Sequence, residues 1–319
     1  MPEPTFAIIG AQKSASTYLH DCLTQHPEIF MAPGELPWLE SPDYERGGAA
    51  ALTACFEGRS EPQRGFRRPN LLGIDSAAER IAAHLPRARL IAVLRNPIER
   101  ALSAYHHYAA DGFIPVQPPE RGIRQLMEDP LSLGPRAHEI LDFGFYARQL
   151  ARYAPYERDG RLLVLLHDDV AHDPRTVLER AFRFLGVEPT FSPKRAGRPQ
   201  AVAYPLSRIR FRRLPNHLAF RYDADGRRRR PRGGLAPLLV RTVSGIDRAV
   251  LAPLVGNERP RLSPELFERL ASLYREDVTA LAAHLGRDLG HWLDPRPGPT
   301  RPTRASDAGT RRPPRPRAR

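Results

Sequence analysis

The 319-residue chain reads as an α/β protein of three layers, a central parallel sheet flanked by helices. Three observations predict this. Apolar runs at Phe6–Gly10, Ala88–Arg95 and Arg161–Val170 have the near-continuous character of parallel strands buried on both faces. Helix-compatible stretches follow these runs, so strand and helix alternate along the chain. A hydrophobic content of 41% supplies enough apolar surface to cover such a sheet on both sides. Open parallel sheets bind ligands outside the carboxyl ends of their strands, so the segments leaving each run carry the candidate chemistry.

The first strand, within FAIIGAQKSASTYL (Phe6 to Leu19), ends at Gly10 and enters a polar turn with Lys13, Ser14, Ser16 and Thr17. A helix over Ser16–Thr24 follows, with Leu19 and Leu23 at helical spacing and a stop at His26-Pro27. Free backbone N–H groups, the positive end of a helix dipole, a lysine and hydroxyls together make a phosphate cradle. The spacing G-x-x-x-x-G-K-[ST] of an NTPase loop is absent. His26 reads as a turn residue. In Ile29–Glu40 an extended apolar piece meets a loop in which Glu35 lies among apolar and turn residues, with Trp38 three positions on. That setting suits a carboxyl group of raised pKa, as a general base needs, although a solvated loop glutamate fits the same residues.

Residues 44–69 read as irregular and helix-prone, Leu71–Asp75 as a short buried strand, and Ser76–His84 as a helix with Ser76 and Glu79 in capping-box relation. Ala88–Arg95 is the clearest strand, ending in Arg95-Asn96-Pro97 before a helix over Ile98–Ala109. Ser103, two turns into that helix, is placed to share an anion with Arg95; Arg100, His106 and His107 read as solvated or partly packed. A helix is expected at Phe143–Ala154, a strand at Arg161–Val170, and an amphipathic helix at Arg175–Leu185 closed by Gly186. Ala196–Asn257 is broken by Arg and Pro and reads as a basic insertion over the site face. Leu262–Trp292 regains an apolar stripe after the start signal Ser263-Pro264-Glu265.

The net charge of +13 invites a nucleic-acid reading, but its distribution tells against it. Ten Arg against two Asp lie in Tyr204–Gly234 and eight Arg against one Asp in Pro295–Arg319, so the rest of the chain is nearly neutral. These segments carry few interleaved aromatics for base stacking, chiefly Phe211, Phe220 and Tyr222. Residues 294–319, rich in Arg and Pro, are expected to form a disordered tail beyond one domain of residues 1–293. Cys22 and Cys55 form no metal or disulfide pattern and read as buried thiols, and no metal site is indicated. No run approaches the roughly 20 apolar residues of a membrane span, and a cytoplasmic setting is expected.

Taken in order, IIGAQKSASTYL, LIAVLRNPIERALSAYHHY, GFYARQL, LLVLLHDDVAHDPRTVLERAFRFLGV and LSPELFERLASLYREDVTALAAHLGRDLGHW resemble the sulfotransferases that use 3'-phosphoadenosine 5'-phosphosulfate. The resemblance is to the branch that contains heparan sulfate sulfotransferases and bacterial relatives, and it spans most of residues 5–293. It implies a P-loop-like fold, that donor as co-substrate, and adenosine 3',5'-bisphosphate as product. It assigns Lys13 to the bridging oxygen and sulfuryl group, and Ser14, Ala15, Ser16, Thr17 and Tyr18 to the 5'-phosphate. Arg95 and Ser103 take the 3'-phosphate, and Glu35, in GELPWLE, is the base for an acceptor hydroxyl or amine, as on a glycan or small metabolite. After the second strand the chain reads GIDSAAE where the family often has G-E-K-S-P-x-Y, which makes Asp75 a second candidate base. Arg259 and Arg261 match a late basic loop only weakly. A P-loop kinase and an Arg-mediated polyanion or nucleic-acid binder are the competing readings.

Overall fold

The computed structural model describes residues 3–194, 205–223, 229–256 and 260–295. Five strands, β1 (Phe6–Gly10), β2 (Ile29–Met31), β3 (Gln63–Arg67), β4 (Arg89–Leu94) and β5 (Leu162–Leu166), form one sheet in the order β2-β3-β1-β4-β5. Every pairing is parallel, as the apolar runs require. Alternation along β1 divides the core: Phe6 and Ile8 face one cluster, Ala7 and Ile9 the other. Helix α1 (Ser16–Leu23) covers the first face. The helices α2 (Ala77–His84) and α3 (Pro97–Asp111) cover the second.

Helix α4 (Tyr146–Ala151) follows a break at Gly144–Phe145, so the helix expected over Phe143–Ala154 is shorter and a separate turn of helix runs through Ala154–Arg158. Helix α5 (Pro174–Leu185) joins α1 on the first face and ends at Gly186 in the left-handed conformation, as the sequence signals. Before it, the run Arg161–Val170 is strand only to Leu166; a short helix, His167–His172, takes the remainder.

Two further expectations are corrected. Leu71–Asp75 is a turn, and the strand lies earlier, at β3. The amides of Arg68 and Leu72 take the β1 carbonyls of Ile8 and Ile9, so the chain turns there and buries Leu71 and Leu72 without extending. Gly65 permits the register, because a Cβ there would meet the Phe6 ring at 2.2 Å. Ser76 caps nothing: its own backbone is helical at φ −75°, ψ −9°, whereas a capping side chain acts from an extended residue.

Helix α6 (Leu206–Arg213), a hairpin pairing Phe220–Tyr222 with Arg229–Pro231, and helix α7 (Ala236–Ile246) make up the described part of the basic insertion. It docks on the end of α3: Asn216 donates to the Ala110 carbonyl at 2.7 Å and Tyr222 to the Asp111 carbonyl at 2.6 Å. Helix α8 (Pro264–Leu285) starts with Ser263 Oγ accepting from Leu266 N–H, as predicted, and returns to the second face. Apart from Asp294 and Pro295, the expected tail lies outside the described residues. Cys22 is buried as expected, but Cys55 is only half-buried; both are free thiols.

Candidate active site

The loop after β1 is pinned across the sheet by the Ala11 amide, which donates to the Val93 carbonyl at 2.8 Å. Lys13 and Ala15 then both adopt left-handed backbone conformations, at φ 66° and 69°. For residues with a Cβ this is strained, and such strain collects where backbone amides must turn toward a ligand. Between them Ser14 is fully buried beside the Tyr146 phenol, and among the described residues its Oγ makes no hydrogen bond of good geometry. Helix α1 begins directly afterwards with no side-chain cap, so its first-turn N–H groups remain available. An orphaned hydroxyl, an uncapped helix start and a lysine are what a phosphate group would satisfy. Burial holds the Lys13 ammonium below the usual lysine range; Asp111 and Glu35 act against this, while Arg95 and Arg212 add to it.

Of the other loop residues predicted to bind, Thr17 Oγ1 accepts a hydrogen bond from Arg67 at the end of β3. The Tyr18 side chain instead packs into the first-face core, and burial drives its phenol pKa upward.

β4 delivers Arg95 to the same edge. One guanidinium nitrogen donates to the Lys13 carbonyl at 3.3 Å and another to Glu99 at 3.0 Å. The α3 start is fixed by Asn96, whose Oδ1 accepts from the amides of Ile98 and Glu99 while its amide nitrogen donates to the Trp292 carbonyl at 2.8 Å. Ser103 is buried two turns into α3, and among the described residues no hydrogen bond joins it to Arg95. The structure thus brings Arg95 to the loop, whereas Ser103 stays within the helix packing.

Glu35 follows β2 and is tied in by the Leu36 amide, which donates to the Arg67 carbonyl at 3.2 Å. Its carboxylate lies 3.0 Å from Arg68 and 3.6 Å from Arg67, so the apolar setting read from the sequence is replaced by two guanidinium groups. It nonetheless belongs to the charged set around Lys13. Asp75 does not: its side chain is 92% exposed and paired with Arg152. Of the weak pair, Arg261 is exposed and Arg259 lies outside the described residues.

Several site residues escape the sequence reading. Arg67 joins the loop to Glu35 from a strand whose sequence reads as irregular chain. His107, expected to be solvated or partly packed, lies 3.7 Å from Asp111 and within the influence of Lys13 and Glu35. Desolvation in this cleft pushes its pKa down to about 4, Lys13 contributing and Asp111 opposing, even though the side chain keeps 38% of its surface. The signal lay in helical spacing: Glu99, Ser103, His107 and Asp111 recur at four-residue intervals on α3. Gln12 donates to Asn70 Oδ1 at 3.2 Å and to the Tyr108 hydroxyl at 2.9 Å, bracing the loop from behind. Arg100, expected near the surface, is fully buried. Some arginines of the insertion are paired: Arg208 is buried against Asp247 at 2.8 Å, half-buried Arg229 pairs with Asp111 at 3.1 Å, and exposed Arg230 with Asp43 at 3.2 Å, while Arg210, Arg212, Arg221 and Arg232 are exposed.

Comparison with known proteins gives a consistent result. Residues 3–207 match the model of the sulfotransferase domain. The human bifunctional heparan sulfate N-deacetylase/N-sulfotransferase 2 is 30% identical over 203 residues, 58% of this chain and 22% of the relative. Human bifunctional heparan sulfate N-deacetylase/N-sulfotransferase 3 is 27% identical over 206 residues, 59% of this chain and 23% of the relative. The chain therefore corresponds to less than a quarter of these relatives' length. A sulfotransferase from Alicyclobacillus acidocaldarius shares the fold, with a TM-score of 0.63 at 22% identity over 92% of this chain and 99% of that one.

Proposed function

The chain belongs to the sulfotransferase domain family, and on that premise we propose that it moves a sulfuryl group from 3'-phosphoadenosine 5'-phosphosulfate to a hydroxyl or amine of an acceptor. The observation that carries this is the pairing of two anion sites at one sheet edge: the Lys13–Thr17 loop after β1, and Arg95 after β4, which touches that loop. Two sites in contact suit a nucleotide phosphorylated at both its 5' and 3' positions. The bound donor supplies an activated sulfuryl group.

The protein's own residues do the rest. Loop amides, Ser14 Oγ and the Lys13 ammonium neutralise negative charge on the leaving phosphate; Arg95, released from Glu99, holds the 3'-phosphate together with the α3 region of Ser103. Glu35 accepts the acceptor's proton as its oxygen or nitrogen bonds to sulfur and the bond from sulfur to the bridging oxygen breaks. Arg67 and Arg68 orient that carboxylate. The domain is taken as residues 1–293, with the tail outside it, and the free thiols of Cys22 and Cys55 fit a reducing, cytoplasmic setting.

The test is a comparison of three variants in donor binding and in donor turnover. Arg95→Ala is expected to weaken adenosine 3',5'-bisphosphate by about 10- to 100-fold, the worth of a lost charge-assisted contact. Lys13→Ala should lose on the order of 10² to 10³ in rate. Glu35→Gln should bind the nucleotide normally and lose on the order of 10² to 10⁴ in turnover. Full turnover in Glu35→Gln would remove Glu35 from the role of base.

A further inference from the structure

The basic insertion carries a helical face that nothing among the described residues covers. Helical backbone runs without a break from α7 through Asp247–Leu251 to Val255, and along this length Asp247 alone is buried. Arg208 of α6 holds it there. Two guanidinium nitrogens donate to the Asp247 carboxylate at 2.8 and 3.0 Å, and the third donates to the Gly256 carbonyl at 3.1 Å. The helix is thus tied down on one side by a buried ion pair, and its other side is left to solvent.

That other side is apolar. Leu235 (79% exposed), Leu238 (60%), Ile246, Val250 and Leu254 (78%) recur at three- and four-residue intervals, with Thr242 filling the one gap. A strict four-residue spacing drifts around a helix of 3.6 residues per turn, but the π turn at Asp247–Leu251 is wider and keeps Val250 and Leu254 closer to line. The stripe is roughly 28 Å long. Single exposed leucines need no partner, whereas a continuous row of large aliphatic side chains marks an interaction surface.

The charge beside the stripe has one sign. Exposed Arg232 precedes the helix and exposed Arg241 and Arg248 lie on it, while the only carboxylate of residues 229–256 is the buried Asp247. A second copy of the chain meeting this face about a two-fold axis would set arginines against arginines, with no exposed carboxylate of the face to receive them. A nucleic acid would take the arginines at its phosphates, which give the aliphatic row nothing apolar to bury against. An anionic lipid surface matches both features: aliphatic side chains enter the acyl boundary while guanidinium groups meet the headgroup phosphates.

We propose that the stripe from Leu235 to Leu254, with Arg241 and Arg248, docks the protein on anionic phospholipid bilayers, the helix lying in the plane of the interface. Such docking stands apart from the sulfuryl-transfer reading, and binding alone reports it.

The test is flotation of the full chain with vesicles of phosphatidylcholine alone and of phosphatidylcholine and phosphatidylglycerol in equal parts. Partition into the mixed vesicles is expected to exceed that into phosphatidylcholine by about tenfold or more. The Arg-rich residues 295–319 also attract anionic lipid, so the deciding variant leaves every charge in place. Leu238→Ser combined with Leu254→Ser should lower partition into the mixed vesicles by about tenfold or more. Arg241→Gln combined with Arg248→Gln should lower it by about tenfold. All four side chains are exposed, so the thermal midpoints of both variants should match that of the wild type. In Leu238→Trp, the added fluorescence should shift to the blue on mixed vesicles and be quenched by brominated acyl chains, which adsorption at the headgroups alone does not produce. Equal partition into the two vesicle types, undiminished partition of the double leucine variant, or no quenching of Leu238→Trp would overturn the inference. A dimer in solution that the double leucine variant dissolves would assign the face to a second copy and overturn it as well.

Discussion

At the scale of single residues, Lys13 concentrates the chemistry. It is held in a left-handed backbone conformation and its ammonium is desolvated, so its proton is lost at lower pH than from a solvated lysine. Binding of an anionic nucleotide needs the protonated form. Affinity for adenosine 3',5'-bisphosphate is therefore predicted to fall as pH rises toward the depressed lysine value, before the ordinary value of 10.5 is reached. Lys13→Arg, which stays charged throughout, should bind with no such alkaline decline, and titration calorimetry over pH 7 to 10 separates the two. His107 acts in the opposite range. Its folded-state pKa of about 4 lies below the ordinary 6.5, so the neutral ring favours the native state above 6.5. That stabilisation is lost as pH falls from 6.5 toward 4. Thermal midpoints should decline across this window in the wild type, and less steeply in His107→Gln.

At the scale of elements, α3 carries the site. Its first turn is fixed by Asn96, and its last turn receives the insertion through Asp111. Asn96→Ala is predicted to cost about 1 kcal/mol or more in urea unfolding, since it removes both the cap and the tie to the Trp292 carbonyl. The strand and helix of the Ala88–Ala109 region were legible because two-face burial gives an uninterrupted apolar run and Asn-Pro marks a helix start. β3 was not legible. QRGFR carries two arginines and a glycine, and its place in the sheet is fixed by long-range pairing with β1 and β2 rather than by any local preference. Losing β3 also hid Arg67, which ends that strand, and displaced the predicted strand onto Leu71–Asp75. The same limit applies to Glu35: its neighbours in sequence are apolar, while its neighbours in space, Arg67 and Arg68, come from β3.

At the scale of the whole molecule, the net charge of +13 is partly taken up inside the chain and partly displayed by exposed Arg210, Arg212, Arg221, Arg230 and Arg232 of the insertion. Within the insertion Arg208, Arg229 and Arg230 are paired with acidic residues of this chain, and Arg213 donates to the Ile114 carbonyl at 3.1 Å. A nucleic-acid footprint needs arginines facing outward, which Arg208 does not do. A chain ending at Asp294 is predicted to keep its nucleotide affinity and to lose part of any salt-dependent retention on DNA, the remainder residing in the exposed arginines of the insertion. Among the described residues no helix is long and apolar enough to cross a membrane.

Lys13 and Arg95, which meet at one sheet edge, are proposed to hold one nucleotide by its 5' and 3' groups. Calorimetric titration with adenosine 3',5'-bisphosphate and, in parallel, adenosine 2',5'-bisphosphate tests it most directly, because the two ligands have equal charge and differ only in where one phosphate sits. The 3',5' isomer is expected to bind about tenfold or more tightly than the 2',5' isomer, and Arg95→Ala to remove most of that preference. Equal affinity for the two isomers, or a preference that survives Arg95→Ala, would contradict that assignment.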